Sequence, residues 1–408
     1  MVRARAVVAL VMLVLVSALF AGNGAAAQET TEQEAQQGAP NPPKINAGAW
    51  ALEDTETGLY LAGENPDKRM PIASTTKIMV ALIALDRGVD LDKEVTISDQ
   101  AERFVGSVYS NVGLISGEHL SVRELLEAAL IPSGTDAVYA LAEYLGGGGG
   151  KAGVENCVEE MNQKAKSMGL KNTHFENPAG LDDGEHYSSA RDMAEIARAA
   201  MQYPEFRDIV DTEQATVSTQ SREIELFNTN NLLYTYPAAI GIKTGTSPEA
   251  GPSLVAAAKE GDEAYIAVVL DANGDEYRFT AAQKVLDFGF ADYEREALIQ
   301  EGKVYEKVDL PYRRDESVGL AAAEDVPGLV GPGLQVERRE TTQEAPPEAR
   351  AGEKLGTVEV LVDGKSVGNA PLVTQKGYQE ASLWQKVRYW TSGAVKSVSG
   401  WVSGLTSS

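Results

Sequence analysis

Ser74 and Lys77 are the first residues whose types and spacing indicate chemistry. They lie in Ser74-Thr75-Thr76-Lys77, directly before the apolar run 78–85. Ser74 stands where a helix N-cap belongs, and in such a helix Lys77 lies on the same face one turn above it. A serine hydroxyl becomes a nucleophile when a nearby base takes its proton, and a lysine kept neutral by burial can be that base. The same tetrad also fits a capped helix with a surface lysine, so other motifs must decide.

Two further motifs supply groups that such a pair would need. Ser133-Gly134-Thr135 lies between two predicted helices, where a hydroxyl can project into a cleft. The stretch 240–246 is typical of a strand that carries Lys243 outward, with a glycine that leaves room for a substrate backbone. Ser133 follows Ser74 by 59 positions, and Lys243 follows Ser133 by 110 more. All three motifs in this order are much rarer in a sequence than any one of them alone. This ordered trio is found in penicillin-binding proteins and β-lactamases.

The elements around these motifs predict an α+β fold, in which helices pack on one antiparallel sheet. A hairpin precedes Ser74, helices follow it, and strands return after residue 239. A capping box formed by Ser121 and Glu124 opens one of the helices. Strands are predicted at 47–53, 59–62, 239–244, 253–258 and 264–270, and helices at 74–86, 121–130, 137–144, 153–168, 188–201 and 279–288.

The composition changes near residue 300 and divides the chain into two domains. The part at 45–300 holds all three motifs and is the predicted catalytic domain. Over 301–375, short strand-like runs alternate with Gly, Pro and acidic turns, which predicts a small all-β domain without a catalytic constellation. Its strands are predicted at 304–308, 318–322, 333–337 and 356–362.

The N-terminal segment at 1–27 is typical of a secretory signal peptide. Arg3 and Arg5 precede the apolar run 6–21, and Ala25-Ala26-Ala27 makes a small-residue cleavage site. An uncleaved N-terminal anchor is the alternative, and either one places the body of the protein outside the cytoplasm. Residues 28–44 are polar and proline-bearing, and they are interpreted as a linker.

The tail at 380–408 predicts a cationic amphipathic helix that lies peripherally on the outer face of the cytoplasmic membrane. Its apolar residues recur every three or four positions, and no acidic residue follows Glu380. Lys386, Arg388 and Lys396 lie off this stripe and suit an anionic lipid surface. A helix docked on the β domain is the alternative. The stripe is formed by Leu383, Val387, Trp390, Ala394, Val398, Trp401 and Leu405.

Charge and residue usage argue against several classes of function. A net charge of −24 and a pI of about 4.6 argue against nucleic acid as a partner. The three histidines, His119, His174 and His186, lack metal-ligand spacing, so no metal site is predicted. The single cysteine, Cys157, is typical of the inward face of a helix and is interpreted as packing.

Longer stretches around the trio resemble the low-molecular-weight serine D-Ala-D-Ala carboxypeptidases. The members that this chain resembles carry an accessory β domain and a C-terminal amphipathic anchor. The resemblance runs from about Ile45 to the tail, and it implies a catalytic domain with the β-lactamase/transpeptidase-like fold. It is carried by residues 71–77, 130–137, 174–181, 186–193 and 241–246.

The resemblance implies a role for each residue of the first two motifs. Ser74 would be the acylated nucleophile, Lys77 its general base, and Ser133 the relay that passes a proton to the leaving D-alanine. The reaction would remove the terminal D-alanine from a peptidoglycan stem peptide and then hydrolyse the acyl-enzyme. β-Lactams would be covalent inhibitors, and no cofactor is needed.

The third motif would hold the substrate. Lys243 and Thr244 would bind its terminal carboxylate, a role that suits a fixed cation and a hydroxyl. Gly245 and Thr246 would belong to the same binding strand, and the backbone N–H groups of Ser74 and Thr246 would form the oxyanion hole.

Thr135 departs from the family pattern, which usually has Asn at this position. Threonine offers one hydroxyl where asparagine offers both a donor and an acceptor, so lower activity or another substrate preference is expected. The departure also leaves open a degenerate wall-binding or regulatory protein. A β-lactamase is the second alternative, although the sequence shows no clear equivalent of the acidic loop that activates water in the commonest class. Glu176 and Asp182 are the acids near that position in the chain.

Overall fold

The computed structural model describes residues 42–391. The predicted signal peptide at 1–27 lies outside the described residues, as do the predicted linker up to residue 41 and the predicted membrane helix beyond residue 391. Across 42–391, no helix is long and apolar enough to cross a membrane.

Helices and strands alternate up to residue 292, and strands dominate after it. The helices are α1 (Lys77–Asp86), α2 (Asp99–Glu102), α3 (Val122–Leu130), α4 (Thr135–Leu145), α5 (Lys151–Ser167), α6 (Ala190–Ala200), α7 (Pro204–Val210), α8 (Leu232–Thr235) and α9 (Asp275–Asp292). The strands are β1 (Ala47–Asp54), β2 (Tyr60–Glu64), β3 (Glu94–Thr96), β4 (His119–Ser121), β5 (Gln214–Ser218), β6 (Glu223–Phe227), β7 (Ala239–Gly245), β8 (Ser253–Glu260), β9 (Glu263–Ala272), β10 (Glu294–Ile299), β11 (Val304–Asp309), β12 (Ser317–Ala322), β13 (Val326–Val330), β14 (Val336–Thr342), β15 (Lys354–Val362) and β16 (Lys365–Thr374).

A five-stranded antiparallel sheet, in the order β2-β1-β9-β8-β7, is the frame of the larger domain. Successive side chains of a strand face opposite sides, so each strand contributes to two cores. Trp50 and Leu254 pack with α9 on one side, whereas Ala51 and Val255 pack with α1 and α6 on the other. Because both faces are covered, β8 and β9 are nearly continuous apolar runs. The predicted α+β fold is confirmed.

Helix α1 is buried from Lys77 to Leu85, because the run 78–85 has no polar face. It ends at Asp86, and Gly88 follows it with a left-handed φ of 59°. This central position fixes the first residue of α1, Lys77, in the interior of the domain.

The prediction that Ser74 is a helix N-cap is wrong. Ser74 lies inside a 3-10 turn, Ala73–Thr76, which runs directly into α1. The hydroxyls of Thr75 and Thr76 donate back to carbonyls three residues earlier, and these bonds close the turn. Ser74 therefore lies within the first helical turn instead of capping it.

The smaller domain is all-β, as predicted. Its sheet has the order β11-β12-β16-β15-β14, and β10 pairs with β13 beside it. The strand predicted at 333–337 is wrong because Gly333 takes a left-handed φ of 83°, and β14 begins only at Val336. Strands β10, β13 and β16 are not predicted, and β16 contains Pro371, which weakens its strand pattern. Strand β10 precedes the predicted boundary at 300 but pairs with β13 beyond it.

Candidate active site

Ser74 and Lys77 come together as their spacing predicts. Lys77 Nζ lies 2.9 Å from Ser74 Oγ, and the Lys77 side chain is only 1% exposed. Burial disfavours its ammonium form and lowers the pKa of Lys77 to about 7, although the charge of Asp136 acts in the opposite direction. A large fraction of Lys77 is therefore neutral near pH 7 and can accept a proton.

Ser133 completes the contacts of this amine. Lys77 Nζ lies 3.0 Å from the Ser133 carbonyl oxygen and 3.2 Å from Ser133 Oγ. Ser133 takes a left-handed φ of 69°, which non-glycine residues rarely adopt. The next residue, Gly134, donates its N–H to the Ala128 carbonyl at 2.8 Å, so close that a Cβ at Gly134 would lie 2.7 Å from that oxygen. This turn holds Ser133 against Lys77.

Asp136 is a positioning residue that sequence analysis does not identify. Its carboxylate accepts the backbone N–H groups of Val112, at 3.1 Å, and Leu114, at 2.9 Å. It lies in the first turn of α4 and is fully buried. Asp136 thus ties the loop at 110–114 to the Ser133 turn, and it places a negative charge near Lys77.

Thr135 is the first residue of α4 and is 2% exposed. Its backbone N–H donates to the Ser110 carbonyl at 2.8 Å. Its hydroxyl makes no hydrogen bond to any residue between 42 and 391. Thr135 therefore lies beside Ser133 with its hydroxyl unused by the protein.

The third motif lies on β7, an edge strand of the main sheet. Lys243 is 1% exposed, and burial, then the nearby charges of Lys77 and Arg278, lower its pKa well below the usual range. Its Nζ donates to the Thr244 carbonyl at 3.1 Å, and the Thr244 hydroxyl lies 2.6 Å from the Thr229 hydroxyl. The two lysines thus share one desolvated site in which an anion is favoured.

Gly245 is needed for packing within the protein, in addition to the room that the sequence predicts for a substrate backbone. A Cβ at this position would lie 2.9 Å from the Ile72 carbonyl oxygen and 3.3 Å from the Ala73 Cβ. The absent side chain thus lets β7 approach the turn that carries Ser74. This close approach brings the third motif to the nucleophile.

Arg278 joins the site from α9 and lies outside the three sequence motifs. Its guanidinium donates to the Thr246 hydroxyl at 2.6 Å and to the Gly245 carbonyl at 3.2 Å. Its side chain is 11% exposed and lies 3.6 Å from the carboxylate of Asp275. Arg278 therefore adds a guanidinium to the end of the site where Lys243 lies.

The arrangement supports acyl transfer on a substrate that carries a carboxylate. It combines the Ser74 hydroxyl beside the neutral Lys77 amine with the Ser133 hydroxyl for proton relay. Lys243 on β7 and Arg278 on α9 form a cationic wall across from them. Across the described chain, 42–391, no group of His, Cys, Asp and Glu residues could hold a metal ion. Cys157 is fully buried in α5, as its interpretation as packing predicts.

Comparisons with known proteins agree with this chemistry. The family model described as D-alanyl-D-alanine carboxypeptidase, peptidase S11, matches residues 35–274. The model described as the C-terminal domain of penicillin-binding protein 5 matches residues 293–380. The first match covers more than half of the chain.

Curated relatives and solved structures extend the similarity over both domains. D-alanyl-D-alanine carboxypeptidase DacF of Bacillus subtilis (strain 168) is 34% identical over 81% of this chain and 86% of its own length. D-alanyl-D-alanine carboxypeptidase of Streptomyces sp. (strain K15) is 38% identical over 61% of this chain and 89% of its own length. The structure of penicillin-binding protein 5 from Haemophilus influenzae superposes with a TM-score of 0.64 at 33% identity, over 83% of this chain and 99% of that one.

Proposed function

This chain belongs to the D-alanyl-D-alanine carboxypeptidase family, and from that premise we propose that it acts through an acyl-enzyme on Ser74. It is a serine-type hydrolase that removes the terminal D-alanine of peptidoglycan stem peptides during cell-wall maturation. The observation that carries the residue assignment is the 2.9 Å contact between Lys77 Nζ and Ser74 Oγ in a desolvated site. β-Lactams acylate the same serine.

The first step is attack by Ser74 Oγ on the carbonyl carbon of the penultimate D-alanine. A neutral lysine has one lone pair and two N–H groups, which match the three contacts of Lys77 Nζ. The lone pair accepts the Ser74 proton, while the N–H groups donate to Ser133. The proton then passes through Ser133 Oγ to the nitrogen of the departing D-alanine as the C–N bond breaks. A water molecule that loses its proton to Lys77 then hydrolyses the ester and frees Ser74.

The cationic wall binds the carboxylate at the end of the substrate. An anion placed beside Lys243 favours its ammonium form, which burial disfavours in the empty site. Arg278 and the Thr244 hydroxyl supply further donors to the same carboxylate. The backbone N–H groups of Ser74 and Thr246 stabilise the oxyanion, because Gly245 lets their two segments lie close together.

The positions of the nearby acids favour a carboxypeptidase over a β-lactamase. The carboxylate of Glu176 lies 2.8 Å from Nε2 of His174 on the surface, within hydrogen-bond distance. Asp182 accepts the hydroxyl of Ser247 and the N–H of Glu249. Both carboxylates are thus used within the protein, and neither contacts Ser74 or Lys77.

Purified protein is expected to release D-alanine from a D-Ala-D-Ala peptide and to keep a fluorescent penicillin label long after the free penicillin is removed. The label should persist because Glu176 and Asp182, the two acids weighed above, are both engaged by other groups of the protein and contact neither Ser74 nor Lys77. Gel fluorescence after a chase with unlabelled penicillin measures its loss. Rapid loss with turnover of penicillin would identify a β-lactamase, and neither labelling nor D-alanine release would identify a degenerate protein.

The protein is secreted and lies peripherally on the outer face of the cytoplasmic membrane. The start of its tail supports this placement, because residues 383–391 are helical. Leu383, Trp384 and Trp390 are 81%, 83% and 68% exposed on this helix. Its other face contacts the β domain, where Tyr389 packs edge-on against Tyr312 with ring centroids 5.9 Å apart. The docked face and the exposed apolar face together suit a helix held at a lipid surface.

Truncation after Glu380 is expected to remove most binding to lipid vesicles, because it deletes every residue of the apolar stripe. Co-sedimentation with vesicles of anionic and of neutral lipid measures binding, and the full chain should pellet more with anionic lipid because of Lys386 and Arg388. A double variant, Trp384→Ser with Trp390→Ser, is the matched control that keeps the charges and the length. Equal pelleting of the full and truncated chains would exclude the tail as an anchor and leave the enzymatic proposal intact.

A further inference from the structure

A buried histidine lies beneath the turn that carries the nucleophile. His186 is 3% exposed, and the edge of its ring packs against Phe175 with centroids 5.7 Å apart. It belongs to the loop 174–187, whose ends pair through backbone hydrogen bonds between His174 and Tyr187 at 2.9 and 3.0 Å. The catalytic steps described above use neither this ring nor this loop.

The two ring nitrogens of His186 have partners that assign its tautomer. The backbone N–H of Glu176 donates to Nδ1 at 3.1 Å, so Nδ1 is an acceptor. The proton therefore lies on Nε2, which donates to the Thr76 hydroxyl at 2.8 Å. The Thr76 hydroxyl in turn donates to the Ala73 carbonyl at 2.8 Å. These three bonds form one chain from the loop to the residue before Ser74. Nδ1 of the ring only accepts, Nε2 only donates, and the Thr76 hydroxyl accepts one bond and donates the next.

The ring must be neutral for this chain to exist, since a second proton on Nδ1 would oppose the N–H of Glu176. Burial lowers the pKa of His186 to about 4. The charge of His174 also lowers this pKa, whereas the charges of Asp183 and Asp182 raise it. His186 is thus neutral near pH 7.

Ala73, at the end of the chain, has a backbone that needs support. Its φ is +46°, a left-handed conformation that a residue with a Cβ rarely adopts. Its carbonyl lies against Gly180, where a Cβ would come within 1.7 Å of the oxygen. Ser74 follows directly, so the conformation of Ala73 sets the direction of the Ser74 side chain and N–H.

The loop that carries His186 is itself held in place. Asn177 Oδ1 accepts the N–H groups of Ala179, Gly180 and Leu181 at 3.2, 2.8 and 2.9 Å. Asn162 of α5 binds both the N–H and the carbonyl of Phe175, at 2.9 and 2.8 Å. The loop is therefore a fixed support beneath the Ser74 turn.

We propose that His186 is a positioning residue of the reaction. Through Thr76 it holds the left-handed backbone of Ala73, and so it keeps the Ser74 hydroxyl within reach of Lys77. His186 touches neither the substrate nor the reacting atoms. The inference rests on the proposed role of Ser74.

Four single variants and one double variant test the chain of bonds. His186→Leu and Thr76→Val each remove two of the three hydrogen bonds of the chain and share the loss of the bond between them. Each is expected to lower the second-order rate of acylation by benzylpenicillin about 10- to 100-fold, the effect of a small misplacement of the nucleophile. Glutamine can accept at Oε1 and donate from Nε2 as the neutral ring does, and serine keeps the hydroxyl. His186→Gln and Thr76→Ser should therefore stay within about threefold of the wild type, a small fraction of that loss. The double variant, His186→Leu with Thr76→Val, should be no slower than the slower single variant, since both break the same chain.

Melting temperatures separate positioning from simple support of the fold. The proposal is overturned if His186→Leu and Thr76→Val lower the melting temperature but acylate at the wild-type rate, or if His186→Gln is as slow as His186→Leu. If His186→Leu does not fold, the comparison of Thr76→Val with Thr76→Ser decides by the same criterion. A wild-type protein that penicillin does not label would instead refute the role of Ser74.

Discussion

Replacing Ser74 by alanine is expected to abolish the benzylpenicillin adduct and to lower D-alanine release by roughly 10⁴-fold or more. The reason is that the hydroxyl 2.9 Å from Lys77 Nζ is lost and no ester can form at this position. Intact-mass spectrometry measures the adduct. In the wild type, a tryptic digest should carry a single adduct on the peptide 70–77, which lies between Arg69 and Ile78.

Ser133→Ala is the matched control, because Ser133 Oγ is a second hydroxyl that Lys77 contacts, at 3.2 Å. Ser133 is 4% exposed, whereas Ser74 is half-buried and open to a substrate. Ser133→Ala should therefore still form the adduct on the peptide 70–77, at a lower rate because the proton relay is gone. An adduct that survives in Ser74→Ala, or one that maps to the peptide containing Ser133, would reverse the two roles.

Much of the frame around the nucleophile follows from short-range rules. Ser121 and Glu124 form the predicted capping box, with Glu124 N–H donating to Ser121 Oγ at 3.2 Å and Ser121 N–H donating to Glu124 Oε2 at 2.8 Å. The pairing of Ser74 with Lys77 is also local, since three helical positions bring two side chains onto one face. Such features depend on residues a few positions apart, which periodicity and capping patterns report directly.

The contacts that hold the motif in place join distant parts of the chain and escape these rules. Asp136 reaches Leu114 over 22 residues, Arg278 reaches Thr246 over 32, and His186 reaches Thr76 over 110. The N-cap prediction for Ser74 fails for the same reason, because contacts from the loop 174–187 hold the preceding residue in a left-handed conformation. Local patterns fail here, at a strained site that serves function.

Acylation by benzylpenicillin is expected to rise with pH to a plateau, with a midpoint near pH 7, because Lys77 must be neutral to accept the Ser74 proton. Burial lowers the pKa of Lys77 from its ordinary value of 10.5 to about 7. Below the midpoint Lys77 carries a proton, so the second-order rate should fall about tenfold per pH unit. A decline on the alkaline side would report loss of the Lys243 ammonium, whose pKa burial also lowers. Stopped-flow measurements over roughly pH 5–10 report the pKa of the free enzyme.

Lys77→Arg is the decisive variant, since arginine is a basic side chain of similar length that stays protonated throughout this pH range and so cannot accept the Ser74 proton. It should lose about 10²- to 10⁴-fold in acylation at the plateau and show no midpoint. Asp136→Asn tests the direction of the pKa shift of Lys77. The Asp136 charge favours the Lys77 ammonium form, so its loss should move the midpoint to lower pH. Its melting temperature reports whether the turn at Val112 survives the change. A wild-type midpoint near the ordinary lysine value, or a Lys77→Arg protein that acylates at the wild-type rate, would mean that another group takes the Ser74 proton.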